Sequence, residues 1–450
     1  MSPVSAKNRT LRYMNTFSCI GPECEDNCCH GWRVDIDAKS YERLKTAASF
    51  SAKPIRKKLI ELIQITDPAD DPVKRKVLEK MGSRAKRLKL KPSYAFKLDD
   101  EGVCHFQTED KLCEIHSNFG GDMLPVVCAT YPRKLQRFGK HFELTAVVSC
   151  PEVSRKLLLH DDAAVEEELD LSRQSKRGLS TGMNPRKLHQ YWQMLFEARG
   201  FILDIIRKRE LPFDVRMFVV LWFAKRTAPA LNRDDPMGDP EAVRREMQLL
   251  RNPRFVQEIT TRYADMETPS SLVMVMARAI MNPRTKAGRA SFRRMARYIL
   301  DSYRDLQAAF TETESTGQGL SVAAAWEEYS RRREHVIAQA GAAMDRVLTN
   351  YSINFWMQRL PSEAPDLMVH TQRLLSYLAL TKFLVYSHPH LHRDAPFETP
   401  FAQRFDEVVV EVFFKAARHI EHSSLLTSLE TVIETQNLGG LAGAIYLARF

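Results

Sequence analysis

From residue 188 onward, apolar positions recur every three or four residues. Leu188, Trp192, Leu195, Phe196, Ile202 and Ile205 form such a series, the stripe of a helix that buries one face. Pro212 marks a boundary before a second apolar helix over residues 215–225, and comparable stripes cover 255–263, 272–280, 292–303, 324–347, 367–386 and 405–420. Breaks at 232–239, 311–319, 360–365 and 388–400 read as inter-helix loops. Residues 161–450 are therefore expected to form an all-α helical domain.

The first 160 residues have a different texture. Arg33, Val34, Asp35 and Ile36 alternate like a short strand and lead to a helix capped by Asp37, while Phe96, Lys97 and Leu98 run into an Asp99-Asp100-Glu101-Gly102 turn. Leu59, Ile60, Leu62 and Ile63 lie among Lys53, Arg56, Lys57 and Lys58 and predict one amphipathic helix. The predicted fold class is thus mainly α, with a small α+β N-terminal domain over 1–160 and a helical C-terminal domain over 161–450.

Composition narrows the class. A chain of 450 residues with 44% hydrophobic and 27% charged residues is globular, and 18 glycines with 22 prolines exclude collagen-like and low-complexity chains. The longest apolar run, residues 217–224 between Arg216 and Lys225, is far short of the ~20 residues that cross a bilayer. No apolar segment follows Lys7, Arg9 and Arg12, so a cytoplasmic protein without a membrane partner is expected. The glycines match neither a dinucleotide fingerprint nor a P-loop, and GxSxG and HExxH are absent.

Compartment decides how the cysteines read. All eight (Cys19, Cys24, Cys28, Cys29, Cys104, Cys113, Cys128 and Cys150) fall within the first third of the chain. Reducing conditions disfavour structural disulfides, which leaves metal or cluster ligation as the reading of this concentration. Cys19, Cys24, Cys28 and Cys29 are spaced C-x4-C-x3-C-C, with Gly21-Pro22 and Gly31 to turn the loop. Successive side chains of extended backbone diverge, so Cys28 and Cys29 are not both expected on one ion. A four-residue hairpin loop at 107–110, closed by Phe106 and Lys111, would place Cys104 opposite Cys113. Cys128 precedes Tyr131-Pro132-Arg133, and Cys150 is followed by Pro151, a frequent neighbour of iron–sulfur ligands. Zinc and iron–sulfur both take thiolates; more than four cysteines with few nearby histidines (His30, His105 and His116 are the substitutes) favours a cluster, although the radical adenosylmethionine triplet C-x3-C-x2-C is absent.

Residues 17–32, the pair Cys104 and Cys113, Cys128 with Tyr131-Pro132-Arg133, and Ser149-Cys150-Pro151-Glu152 together resemble the flagellin lysine N-methylase family (FliB), whose N-terminal part is a cysteine-rich zinc- or iron-chelating domain. The resemblance implies S-adenosylmethionine-dependent methylation of lysine ε-amines on flagellin, with an iron–sulfur cluster, [4Fe-4S] in type, on four of the eight cysteines. A lysine amine must lose its proton before it attacks a sulfonium methyl. Tyr131 and Asp35 are candidates for that step, and Trp32 and Arg133 for contact with the cofactor.

Thirteen lysines and arginines lie between residues 53 and 91 and depart from the family pattern. They read as a solvated basic face or a surface for an acidic partner; nucleic acid is not expected. The alternative to the enzyme is a zinc-stabilised binding module for a protein or nucleic-acid partner.

Overall fold

The computed structural model describes residues 8–67, 70, 75, 92–138, 140–174, 177–183, 189–231, 238–281, 290–303, 319–392, 398–420 and 440–450. Much of the basic stretch (Lys74 and residues 76–91) lies outside the described residues, as do Leu188 and most of the loop assigned at 311–319. The chain divides into two compact units, one of Met1–Phe17, Gln136–Leu171 and Ser180–Phe450, the other of Ser18–Leu135 and Ser172–Leu179. These units do not follow a cut at residue 160. The physical reason is strand pairing: β1 (Arg9–Leu11) runs parallel to β6 (His141–Ala146) and antiparallel to β7 (Glu166–Glu168), which ties the start of the chain to segments far along it.

The larger unit is built on that sheet. Its order is β7-β1-β6-β5-β8, with β5 (Arg133–Phe138) parallel to β8 (Ser180–Met183). Short helices α1 (Arg12–Thr16) and α6 (Pro151–Leu158) follow β1 and β6. Then come α7 (His189–Ile206), α8 (Phe213–Thr227), α9 (Pro240–Leu249), α10 (Pro253–Ala264), α11 (Leu272–Met281), α12 (Ala290–Asp301), α13 (Gly319–Gln358), α14 (Leu367–Tyr386), α15 (Phe401–Ile420) and α16 (Gly440–Arg449). The helical stripes read from the sequence thus fall on helices, and α9 is an addition. Its cap, Asp239 accepting from Ala242 N at 2.9 Å, is a polar start that a search for apolar stripes passes over.

Two helices show how pattern becomes position. Nearly every side chain of α14 is buried, so it lies in the middle of the helical layer, where an all-round apolar surface has neighbours on every side. α13 is amphipathic and bends at Ala340 (φ −138°, ψ 23°). Its second half is fastened to the sheet: Tyr13 OH donates to Asn354 Oδ1 (2.8 Å) and accepts from Ala146 N (2.7 Å), while Asn354 Nδ2 donates to Ala146 O (3.1 Å). Every polar group of that buried junction has a partner, which keeps its desolvation from costing stability.

The smaller unit holds a three-stranded antiparallel sheet, β2 (Asp35–Ile36), β4 (Ser93–Phe96) and β3 (Ile63–Thr66) in that order, with α2 (Ala38–Phe50), α3 (Lys53–Glu61), α4 (Glu114–Phe119) and α5 (Val126–Thr130). The single amphipathic helix expected through Ile63 is shorter. α3 buries Ile55 and Leu59, leaves Ile60 65% exposed, and closes at Leu62, after which Ile63 is the first residue of β3. Four apolar residues in five fit both periods, and pairing with β4 decides the outcome.

Candidate metal centre

Seven of the eight cysteines lie in the smaller unit, on three segments; Cys150 occupies the N-cap position of α6 in the larger one, without a side-chain capping bond. The first segment turns sharply at Gly31 (φ 79°), which donates to Gly102 O at 2.7 Å, and Gly102 is itself at φ 82°. Both backbones are in the left-handed region and close together, a combination for which glycine is suited. Next to this crossing, Cys104 N donates to Cys29 O (2.8 Å) and His30 bridges Val103. The Asp99 carboxylate accepts from Glu101 N (3.0 Å) and Val103 N (2.7 Å), fixing the turn that delivers Cys104.

The expected opposition of Cys104 and Cys113 is corrected by the register. Gln107 bridges Cys113, while Cys104 bridges Leu98. Lys111 takes φ 58° and Thr108 N reaches Leu112 O, so the turn spans 108–112 and shifts the partner of Cys113 by three residues from Cys104. Cys113 instead occupies the N-cap position of α4, and Cys128 lies within α5.

Four of the thiols nevertheless belong to one packed core. Cys104 is buried, and Cys29, Cys113 and Cys128 pack against the core formed by Ile36, Leu44, Phe96, Phe106 and Ile115. A hydrogen bond with Cys28 raises the Cys29 pKa, helped by burial and by the charges of Cys28, Cys104 and Cys113. Burial pushes Cys104 up to about 11, with Cys113 and Cys28 adding repulsion. Cys113 and Cys128 are raised by burial and then by cysteine neighbours, Cys28 for the former and Cys113, Cys28 and Cys104 for the latter. Cys28, Cys29, Cys104, Cys113 and Cys128 therefore share one electrostatic neighbourhood. Among the described residues, no three or more His, Cys, Asp or Glu side chains stand ready-placed to hold a metal ion. The donor chemistry fits a soft cation or cluster, while coordination would require the thiols to turn toward it. Cys19 is exposed and accepts from Gly21 N at 3.4 Å, with Cys24 across the same short turn.

The other sequence candidates separate. Trp32 donates its indole N–H to Cys28 O (2.6 Å) and meets Tyr131 edge-on at 4.9 Å, so both rings buttress the cysteine loop. Asp35 is exposed and paired with Arg33 at 2.8 Å. Arg133 is exposed at the start of β5. His30 Nε2 lies 3.1 Å from Glu101 O.

Asp37 does more than the sequence implied. Besides capping α2 through Ser40 N (2.9 Å), it accepts from Val126 N (3.2 Å) at the start of the helix carrying Cys128, and these bonds hold its pKa down against a partial desolvation. Asp37→Ala is expected to lower stability by about 1–2 kcal/mol, measured by urea denaturation, with Asp37→Asn losing less; equal stability of Asp37→Ala and wild type would refute the double cap. Arg177 is a second support the sequence did not reveal. Its guanidinium donates to Gly121 O (3.0 Å), Asp122 O (3.2 Å) and Leu124 O, holding the approach to α5.

Comparison with known proteins adds the family. The lysine-N-methylases of Salmonella typhimurium strain LT2 and Salmonella choleraesuis strain SC-B67 are each 23% identical over 266 residues, 59% of this chain and 59% of theirs. The flagellar biosynthetic protein FliU of Salmonella muenchen is 27% identical over 164 residues, 36% of this chain and 84% of its own. The chain thus spans less than two thirds of the two methylases it matches. No solved structure matches. The model of the FliB lysine N-methylase C-terminal domain matches residues 199–447, more than half the chain and nearly all of its helical part, and on that match the chain belongs to the FliB lysine N-methylase family.

Proposed function

We propose that the protein is an S-adenosylmethionine-dependent lysine N-methylase acting on flagellin in the cytoplasm. The family match over 199–447 carries this reading. Among the described residues, no helix is long and apolar enough to cross a membrane. In the reaction, a neutral lysine amine attacks the sulfonium methyl; the C–S bond breaks, its electron pair stays on sulfur as a thioether, and the methylated amine carries the positive charge. Delivering that amine requires a nearby acceptor for the ammonium proton. Tyr131, held against Trp32 beside the cysteine loop, is the proposed polar partner. Asp35 is set aside, because its exposed carboxylate is already paired with Arg33.

We further propose an iron–sulfur cluster on the cysteine-rich unit, with Cys28, Cys104, Cys113 and Cys128 as its ligands. Cys104 is buried, Cys113 and Cys128 are half-buried and Cys28 is exposed beside them; partly desolvated thiols that repel one another's charge hold their protons, and a cationic centre reverses that by stabilising the thiolates together. Cys29, joined to Cys28 by a hydrogen bond, is then a supporting group rather than a fifth ligand. Such a cluster supplies redox or Lewis-acid chemistry when bound.

One preparation tests both parts. Protein purified without oxygen is analysed for iron, zinc and acid-labile sulfide, then incubated with methyl-labelled adenosylmethionine and flagellin. Label on flagellin lysines with iron and sulfide present is the expected result. Zinc without label transfer would overturn the methylase reading and favour the binding module.

A further inference from the structure

The smaller unit carries an apolar surface that its own core leaves outside. Phe50, the last residue of α2, is 87% exposed, Ile60 on α3 is 65% exposed and Ile65 on β3 is 57% exposed. The next most exposed large apolar side chain among the described residues, Leu112, is at 44%. Single exposed apolar residues are ordinary on a folded chain, but three that stand this far out within residues 50–65 mark a surface suited to a partner.

Local geometry joins the first two. α2 packs against α3, and Arg56 donates from Nε to Ala48 O (2.9 Å) and from Nη2 to Ser49 O (3.0 Å), so its guanidinium covers the end of α2 beside Phe50. Ile60 follows Arg56 by one turn and shares its side of α3, as Lys53 and Lys57 do at three- and four-residue spacings. All four are exposed, whereas Ile55 and Leu59 on the opposite side enter the core. α3 therefore presents apolar and cationic groups together, with Glu61 as the acid of the helix. Its remaining cation, Lys58, pairs at 2.5 Å with Glu114, the first residue of α4, whose N-cap is Cys113. The surface thus lies one helix away from the candidate metal centre, in the same compact unit.

The chemistry of this face selects its occupant. A substrate lysine is itself a cation and is repelled here, while an acidic stretch meets Lys53, Arg56 and Lys57 with opposite charge. Aliphatic Ile60 and Ile65 give no stacking platform for nucleic-acid bases, so a protein segment with apolar side chains fits better. We propose that Phe50, Ile60, Lys53, Arg56 and Lys57 form a docking surface for an acidic, apolar-faced segment of the protein substrate, apart from the lysine that is methylated. This inference rests on the methylase reading and states how its substrate is held.

Two double variants of the full-length protein, purified without oxygen, test it: Phe50→Ser with Ile60→Ser, and Lys53→Glu with Lys57→Glu. All four side chains are exposed, so the Tm of each variant is expected to match that of the wild type. Label transfer from adenosylmethionine is followed across flagellin concentrations. Each double variant is expected to raise KM for flagellin about tenfold, with kcat within about twofold of the wild type. Salt is expected to raise the wild-type KM and to leave that of the charge-reversed variant nearly flat. Lys208→Glu with Lys225→Glu makes the same change of net charge on exposed residues of the larger unit and is expected to leave KM unaltered. Wild-type KM in both docking variants would overturn the proposal, as would an equal rise in the matched control. Short single-stranded DNA bound by the wild type and lost by Lys53→Glu with Lys57→Glu, at an unchanged flagellin KM, would assign the face to nucleic acid instead. Calorimetric titration with flagellin reads the same surface without turnover, and equal affinity of wild type and variants overturns the proposal whether or not label is transferred. The methylase reading falls separately, on failure of the wild type to label flagellin.

Discussion

Cys113→Ala and Cys128→Ala are each expected to emerge from oxygen-free purification with most of their iron and acid-labile sulfide missing, and with the broad absorption near about 400 nm correspondingly lost. The expectation follows from where the two thiols sit. They come from different helices, α4 and α5, and both lie in the electrostatic field of Cys28. A cluster held by both joins the start of α4 to α5, so removal of either thiolate opens one side of it. Loss of a supporting partner alone typically weakens a metal site roughly 10–100-fold, and loss of a ligand is expected to do at least that. Cys19→Ala is the matched control, since its thiol accepts from Gly21 N and is not among the cysteines whose charge acts on Cys104, Cys113 and Cys128. Full iron occupancy in both helix variants would show that neither thiol is a ligand. Equal loss in all three, Cys19→Ala included, would point to a damaged fold instead, which circular dichroism of the apo proteins distinguishes.

The sequence exposed the cysteines but misjudged how they meet. Their concentration in the first third, the Asp37 cap and the turn after Leu98 were all legible because each depends on residues a few positions apart. The partner of Cys113 was not. Its register depends on Lys111 adopting a left-handed backbone, which no glycine or asparagine announces. The helices from α7 onward were visible as stripes, since burying one face imposes the 3.6-residue period. The sheet under them was less so: β7 is Glu166–Glu168, three acidic residues with no apolar alternation. It pairs with β1, and its side chains meet Arg9, Arg12 and Arg207, so charge complementarity supplies what hydrophobic patterning does not. The buried pair of Glu143 and Arg199 was equally hidden, because a buried polar group reads in sequence like any surface one.

That charged layer leads to the second large effect. Glu143 is 3% exposed and takes Arg9 from β1 (2.7 Å) and Arg199 from α7, while Arg9 also reaches Glu166 (2.8 Å). Glu143→Ala strands Arg199 as a buried cation with no anion, and breaking a buried pair from one side costs about 3–5 kcal/mol, a fall in Tm of roughly 3–5 °C for a chain of 450 residues. The double variant Glu143→Leu with Arg199→Met is expected to recover much of that loss, because neither charge is then desolvated. The same group makes stability depend on acid. Burial alone would raise the Glu143 pKa, but Arg199 and Arg9 outweigh it and hold the carboxylate below its ordinary value of 4.5. With the folded pKa depressed, the unfolded chain binds the proton first on acidification. The contribution of Glu143 is therefore complete above pH 4.5 and is lost as pH falls from there through the folded value. Urea denaturation at a series of pH values reads this directly. Wild-type stability is expected to fall across that window more steeply than that of Glu143→Gln, which has no proton to gain. Parallel curves for the two proteins, or a Glu143→Ala variant as stable as wild type, would mean that the Arg9–Glu143–Arg199 layer contributes no net stability to the sheet.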